Sequence, residues 1–349
     1  MRKLFRQMAG IAIAALLLGI AVPGLAGEIT VYTALDTDDV KIYVEAFEKQ
    51  VPDVKVNIYR VSAGKLGAKI RAEAQNPRHD VIWGWTISEM ERPDILAMIE
   101  PYRPKGMEKI NAKFVDPNGN WFATTGYMAA LCVNTDMVKE RKLPMPETWQ
   151  DLIKPVYKGQ IAMPSPLDSG TGYLQVAAFL QTMGETKGWE YLKQLDANIA
   201  QYTSSGSKPG KMAQDKEYPI GITYDFAVVK IINTFVSAGL PVPIKLVIPK
   251  EGSGYELEVT ALMKTSTNKA DSKKFLDWLM SDQAVALYDQ LAAMNCITGT
   301  SRSKAAQQAN LPADVTKVLA PVDLKKSARD KEAILAKWKA DIYDKRPTQ

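Results

Sequence analysis

The sequence predicts an α/β protein built as two units that close on each other as lobes. Three observations predict it. Strand-like and helix-like segments alternate with short loops from Glu28 to Gly84, the pattern of a mostly parallel sheet. A second alternation of this kind begins near Gly126 and runs to about residue 258. Removing a 26-residue leader from the 349 residues leaves 323, more than the ~250–300 at which single cores stop growing.

The leader comes first. Arg2, Lys3 and Arg6 form a basic start, and Ala9 to Val22 is an apolar run too short for a comfortable membrane span. Pro23-Gly24-Leu25-Ala26 then places small residues before a cut, so residues 1–26 are expected to be a cleaved signal peptide. No cysteine follows the cut, which excludes a lipid anchor at that position. The leader carries three of the 44 basic residues and none of the 39 acidic ones, so the mature chain holds 41 against 39, a net +2. That near-neutral balance gives no reason to expect a nucleic-acid partner. Cys132 lies in an apolar run, 129–133, and reads as a buried thiol; a bridge to Cys296 is left open.

Glu28 to Ala34 alternates and is rich in β-branched residues, as a strand is. A helix from Asp36 to Lys49 follows, with Tyr43, Val44 and Phe47 on its apolar side. Next come a strand over 54–59, a helix opened by Ser62-Ala63-Gly64 and ended before Pro77, and a strand over 80–84. Residues 101–120 read as loop. Gly126 to Asn134 is again strand-like, Trp149 to Leu152 begins a helix capped by Thr148, and a turn leads into a short apolar strand ending at Met163. Tyr173 to Met183 is a helix, and the polar loop 201–210 precedes a short helix near Met212. Strands over 218–222 and 244–248 flank an apolar helix that begins at Phe226. Leu257 to Met263 returns as a strand, Ser272 to Leu287 reads as one amphipathic helix, and the tail from Ala306 is helical and charged. A double crossover would make residues 27–125 plus 259–349 one lobe and 126–258 the other.

Ligands of such sheets sit beyond the carboxyl ends of the strands. Those ends carry Thr33-Ala34, Ser62-Ala63-Gly64 and Trp83-Gly84-Trp85-Thr86. In the second unit Ser169-Gly170-Thr171 falls where a helix begins, so that backbone N–H groups, hydroxyls and the helix dipole can converge on an anion. An ordinary N-cap explains the same residues taken alone. Three Ser/Thr/Gly loops without a carboxylate suit a tetrahedral phosphonate or phosphate. Asp225 and Glu256 would face the opposite, cation-seeking end; a helix cap and an exposed strand position are their plainer readings. Trp83, Trp85 and Tyr224 would wall the ligand or cradle an ammonium group, with core packing as the alternative for Trp83. Catalysis has little to work with: His79 is the single histidine, and there is no Gly-x-Ser-x-Gly elbow, zinc-type His/Cys cluster or Walker loop. No catalytic residue, no resident metal and no cofactor are expected.

Five stretches carry a family resemblance over nearly the whole mature chain: VYTALDTDD (31–39), KPVYKGQIAMPSPLDSGTGY (154–173), NIAQYTSSGSKPGK (198–211), PIGITYDF (219–226) and PKEGSGYELE (249–258). The chain resembles the periplasmic solute-binding proteins of ABC importers, in the group with ferric-ion, hexose-phosphate and 2-aminoethylphosphonate binders. It is most similar to the aminoethylphosphonate branch. The resemblance implies a type II, Venus-flytrap fold with two hinge crossovers, a monomer in the periplasm, and an inner-membrane permease as partner. It also implies a small anionic or zwitterionic ligand, 2-aminoethylphosphonate, held by Thr33, Ala34, Ser62, Ala63, Gly64, Trp83, Ser169, Gly170, Thr171, Tyr224, Asp225 and Glu256.

The group's other ligands remain alternatives. Ferric binders hold the metal with tandem tyrosines at the end of the strand that corresponds to 219–222. Here Tyr224 is followed by Asp225 and Phe226, so the second tyrosine is missing, and one Tyr plus one Asp would supply only part of a ferric site. The hexose-phosphate branch has a His-Asp pair at that point and an acid at the position of Glu256.

Overall fold

The computed structural model describes residues 27–291, 294–297, 304–312 and 315–346; the expected signal peptide lies outside them. Among the described residues no helix is long and apolar enough to cross a membrane. The first half runs β1 (Gly27–Thr33), α1 (Thr37–Gln50), β2 (Val54–Arg60), α2 (Ala63–Ala72), β3 (Val81–Thr86), α3 (Ile87–Met90), α4 (Pro93–Leu96) and β4 (Ile99–Glu100). The chain continues with β5 (Phe122–Asn134), α5 (Thr135–Glu140), β6 (Ile161–Pro164), α6 (Gly170–Met183), α7 (Glu185–Asp196), β7 (Ile199–Thr203) and α8 (Lys208–Gln214). Next are β8 (Ile220–Tyr224), α9 (Asp225–Ser237), β9 (Ile244–Val247) and β10 (Tyr255–Met263). The last elements are α10 (Lys269–Trp278), α11 (Asp282–Leu291), β11 (Met294–Asn295), α12 (Lys304–Gln308) and α13 (Leu324–Asp341).

The strands join in the order β2-β1-β3-β10-β5-β8-β6-β7. At one end β2, β1 and β3 are parallel, and at the other β8, β6 and β7 are parallel. Two antiparallel strands connect these halves. The residues of β5 up to Met128 pair with β10, and those from Ala129 pair with β8 and β9. The chain therefore crosses between halves within β5 and again between β9 and β10. Each half thus sets the carboxyl ends of its parallel strands toward the junction, where a type II two-lobed fold places its cleft.

The core divides accordingly. Phe47, Trp83 and Phe275 interlock edge to face in one cluster, which also holds Leu257 to Ile297 residues returning from the second half. Leu131, Trp149, Phe179 and Trp338 belong to a second cluster, and Met128, Phe226 and Val228 to a third. Trp338 and Ile342 near the C-terminus thus pack with the second half, although the sequence boundaries assign 259–349 to the first lobe. Earlier on the same helix, Lys331 donates to Glu89 of the first half at 2.6 Å. Cys132 and Cys296 are free, buried thiols in different clusters, so the bridge left open by the sequence is not formed.

Several local expectations differ from the structure. Residues 150–153 form a single 3₁₀ turn instead of an α-helix, because Lys154 precedes Pro155 and is held extended, at φ −66° and ψ 137°. The expected single helix over 272–287 is two, α10 and α11, with the Ser281 hydroxyl accepting from Ala284 N to start the second. Residues 201–203, read as loop, are the end of β7, paired in parallel with β6.

Candidate functional site

A cavity of about 150 Å³ lies at the junction of the halves, and both contribute to its lining. From the first half come the turns after β1 and β2, with Ala34, Asp36, Arg60, Ser62 and Ala63. From the second come Asp168 to Thr171 ahead of α6, Ser204 to Ser207 ahead of α8, and Tyr224 at the end of β8. Helices α2, α6 and α8 begin at Ser62, Ser169 and Ser207, and none of these serines bonds back to its own helix through its side chain. Two long helices, α2 and α6, therefore direct unpaired first-turn N–H groups and the positive ends of their dipoles at this one space.

Packing holds these loops in place. A Cβ at Gly172 would lie 2.5 Å from the Pro164 carbonyl oxygen, so the strand-to-helix turn closes this tightly only over glycine. Gly206 is pressed against the Thr171 side chain, which ties the loop before α8 to the start of α6. Trp85, deep in the first core, donates its indole N–H to the Ala63 carbonyl at 3.0 Å and fixes the turn after β2.

The rest of the lining is aromatic and acidic, and its Tyr127 hydroxyl reaches the start of α6, 3.5 Å from where a Cβ at Gly170 would sit. Tyr127, Tyr224 and Phe226 cluster there, with ring centroids 5.5 Å apart for Tyr127–Tyr224 and 4.5 Å for Tyr224–Phe226. Burial drives the phenols of Tyr127 and Tyr224 well above their ordinary range, so both are neutral. Glu258 lies beside them, buried, and its Oε2 accepts from the Thr125 hydroxyl at 2.6 Å. Burial raises its pKa to about 8; the Thr125 bond opposes the shift, while Asp36 and Asp39 add to it. Glu258 therefore holds a proton near neutral pH and can both donate and accept. A larger adjoining space, about 650 Å³, shares Arg60, Ser62, Ser169 and Gly170 with the cavity and opens toward Lys65, Arg71 and Lys331.

Of the residues expected at the site, Ala34, Ser62, Ala63, Ser169, Gly170, Thr171 and Tyr224 come together around the cavity, and Gly64 lines the adjoining space. Four others do not line it. Thr33 is fully buried, with its hydroxyl accepting from Leu35 N at 3.1 Å, and shapes the turn instead. Trp83 packs in the first core against Tyr43 and Phe275. The Asp225 carboxylate turns to β5, where Oδ1 accepts from Met128 N at 3.1 Å. Glu256 accepts from Ser88 N at 3.4 Å and Leu257 N at 3.2 Å. Tyr224 and Asp225 therefore do not converge as a metal pair, and among the described residues no group of three or more His, Cys, Asp or Glu side chains is arranged to hold a metal.

Sequence reasoning missed Asp36, Arg60, Tyr127, Asp168, Phe226, Glu258 and the stretch Ser204-Ser205-Gly206-Ser207 as lining residues. The signal for Ser204 to Ser207 was available, since that loop stands out as polar and glycine-containing. For Glu258 it was not. The family resemblance singles out Glu256, and strand pattern cannot correct that choice, because residues two apart on a strand share a face. The lone His79 stacks on Tyr32 at 4.2 Å, away from the cavity, and burial lowers its pKa to about 4.

Known proteins share this architecture. The periplasmic binding protein AfuA from Actinobacillus pleuropneumoniae, solved with exogenous fructose 6-phosphate bound, superposes with a TM-score of 0.81 at 30% identity, covering 91% of this chain and 99% of its own. Apo ferric ion-binding protein A from Pasteurella haemolytica has a TM-score of 0.79 over 93% of this chain and 100% of its own; at 23% identity it speaks for the fold alone. An uncharacterized protein of Haemophilus influenzae is 30% identical over 95% of this chain and 96% of its own length. The family model of the bacterial extracellular solute-binding proteins matches residues 96–314, and with a relative this similar along almost the full length, the chain belongs to that family.

Proposed function

We propose that the mature chain captures a small phosphonate, 2-aminoethylphosphonate, in the cavity and delivers it to the inner-membrane permease of an ABC importer. The observation that carries this reading is the meeting, at one small cavity, of the α2 and α6 N-termini with a buried acid, Glu258. The phosphonate oxygens take the N–H groups and hydroxyls of Ser62, Ala63, Ser169, Gly170 and Thr171, beside Ala34. The ammonium end lies among Tyr127, Tyr224 and Phe226 and takes Glu258 as its counter-charge, the carboxyl giving up its proton on binding. Thr33, Trp83, Asp225 and Glu256 support the wall from behind. Residues 27–125 with most of 259–349 act as one lobe of a periplasmic monomer and 126–258 as the other, joined by the Trp338 end of α13, and the lobes hinge through β5 and the connection from β9 to β10.

A hexose phosphate is the second reading. AfuA was solved with fructose 6-phosphate, and a protonated Glu258 suits a sugar hydroxyl as well as it suits an amine. Titration calorimetry with 2-aminoethylphosphonate, ethylphosphonate and fructose 6-phosphate separates the two. The expected result is tight binding of the aminophosphonate, with Glu258→Gln losing roughly 2–5 kcal/mol for it and much less for ethylphosphonate. Tight binding of fructose 6-phosphate with none of the phosphonates would overturn the phosphonate assignment in favour of the sugar.

A further inference from the structure

Helices α1 and α9 follow β1 and β8, strands of opposite halves of the sheet, and face each other beside the cavity. Lys230 of α9 spans the gap between them. Its Nζ lies 2.7 Å from Asp39 Oδ2 and 3.3 Å from Asp36 Oδ2, at the beginning of α1. Lys230 Nζ also lies over the Phe226 ring, 5.2 Å from its centroid, and Asp36 is 3.9 Å from an Arg60 guanidinium nitrogen. Side-chain exposure is 37% for Lys230 and 13% for Asp39, so the pair is partly withdrawn from water and less screened by salt than a surface pair, although burial also raises the Asp39 pKa against the pull of Lys230. Burial works against the Lys230 charge, but the two aspartates outweigh it and raise its pKa, so the ammonium persists through neutral pH.

We propose that Lys230, Asp39 and Asp36 form an ionic latch across the cleft, which holds the two halves together and sets how long a captured ligand stays. Asp36 lines the cavity but Lys230 and Asp39 do not, so substitutions at Lys230 and Asp39 break the latch while leaving the lining side chains in place. An interaction formed only when the halves meet favours the closed state by its full strength, and its loss appears in the opening rate. The residence-time part rests on the binding function proposed above; the closure part does not.

The test uses the mature chain with Lys230→Met, Asp39→Asn, and the exchanged pair Lys230→Asp with Asp39→Lys. Small-angle scattering without ligand should give a larger radius of gyration for each single variant than for the wild type, and a return toward the wild-type value for the exchanged pair. Salt at 1 M, where the screening length falls to about 3 Å, should expand the wild type and leave the single variants unchanged. With bound 2-aminoethylphosphonate, dissociation followed by stopped flow should be about tenfold faster in the single variants at an unchanged association rate. Identical radii and dissociation rates in wild type and Lys230→Met, with both proteins folded by circular dichroism, would overturn the latch. If the wild type binds none of the three ligands, the proposed function fails while the ligand-free scattering still decides the latch.

Discussion

Three carboxyls, Asp225, Glu256 and Glu258, are buried deeply enough that burial raises their pKa values, to about 7, 7 and 8 from ordinary values of 3.8, 4.5 and 4.5. The native state therefore keeps protons that the unfolded chain has already released, and stability falls as pH rises through this interval. His79 acts in the opposite sense. Burial lowers its pKa to about 4 from 6.5, so its unfolded form binds the extra proton, and its effect is complete once pH exceeds about 6.5. Between pH 6.5 and 8 the buried acids act alone, and the melting temperature of the ligand-free protein should decrease across that window. Glu258→Gln should flatten the decrease, because the amide has no charge to desolvate. Thermal scans at half-unit pH steps check this, and a melting temperature that rises with pH would contradict the burial argument.

The strand-to-helix turn from β6 into α6 is the element on which the proposed anion end depends, and its two glycines are not equivalent. A Cβ at Gly172 would meet backbone atoms of Pro164 and Ser165 at 2.5–2.7 Å, where nothing can move aside cheaply. At Gly170 the nearest atoms, the Tyr127 hydroxyl and the Thr86 methyl, are 3.5 and 3.6 Å away, an ordinary contact. Gly172→Ala should therefore cost roughly 1–3 kcal/mol of stability, whereas Gly170→Ala should leave stability nearly unchanged. Urea titrations of the two variants distinguish them, and equal midpoints would show that the turn has more room than its contacts imply. This element was legible beforehand. A serine and two small residues between an apolar strand and a helical run are local signals, and the structure starts α6 at Gly170. The division of the expected helix over 272–287 was not legible, because α10 and α11 are both amphipathic and the Ser281 cap that separates them leaves the apolar pattern nearly continuous.

At the scale of the molecule, β5 and β10 connect the halves, while α13 returns to join them a second time through Lys331–Glu89 and Trp338. The two thiols report on this assembly. Burial pushes the Cys132 thiol up to about 12 and the Cys296 thiol well above its ordinary range, so neither forms a reactive thiolate in the folded protein. Ellman's reagent at pH 8 should find no reactive thiol in the native protein and two in guanidinium chloride without reductant. Fewer than two in the denatured chain would mean that the thiols had paired.

Strand periodicity, helix starts and the two-unit order depend on neighbours in sequence, and the chain alone determined them. They were enough to bring Ala34, Ser62, Ala63, Ser169, Gly170, Thr171 and Tyr224 to one cavity. Which acid faces that cavity was a tertiary decision. Asp225 closes β8, and Glu256 and Glu258 share a face of β10, so local pattern treats all three alike. Met128 N claims Asp225 and Ser88 N claims Glu256, while the Thr125 hydroxyl holds Glu258 at the cavity wall. Those partners lie 97 to 168 residues away along the chain, and a buried carboxyl turns toward whichever donor the folded backbone brings within reach.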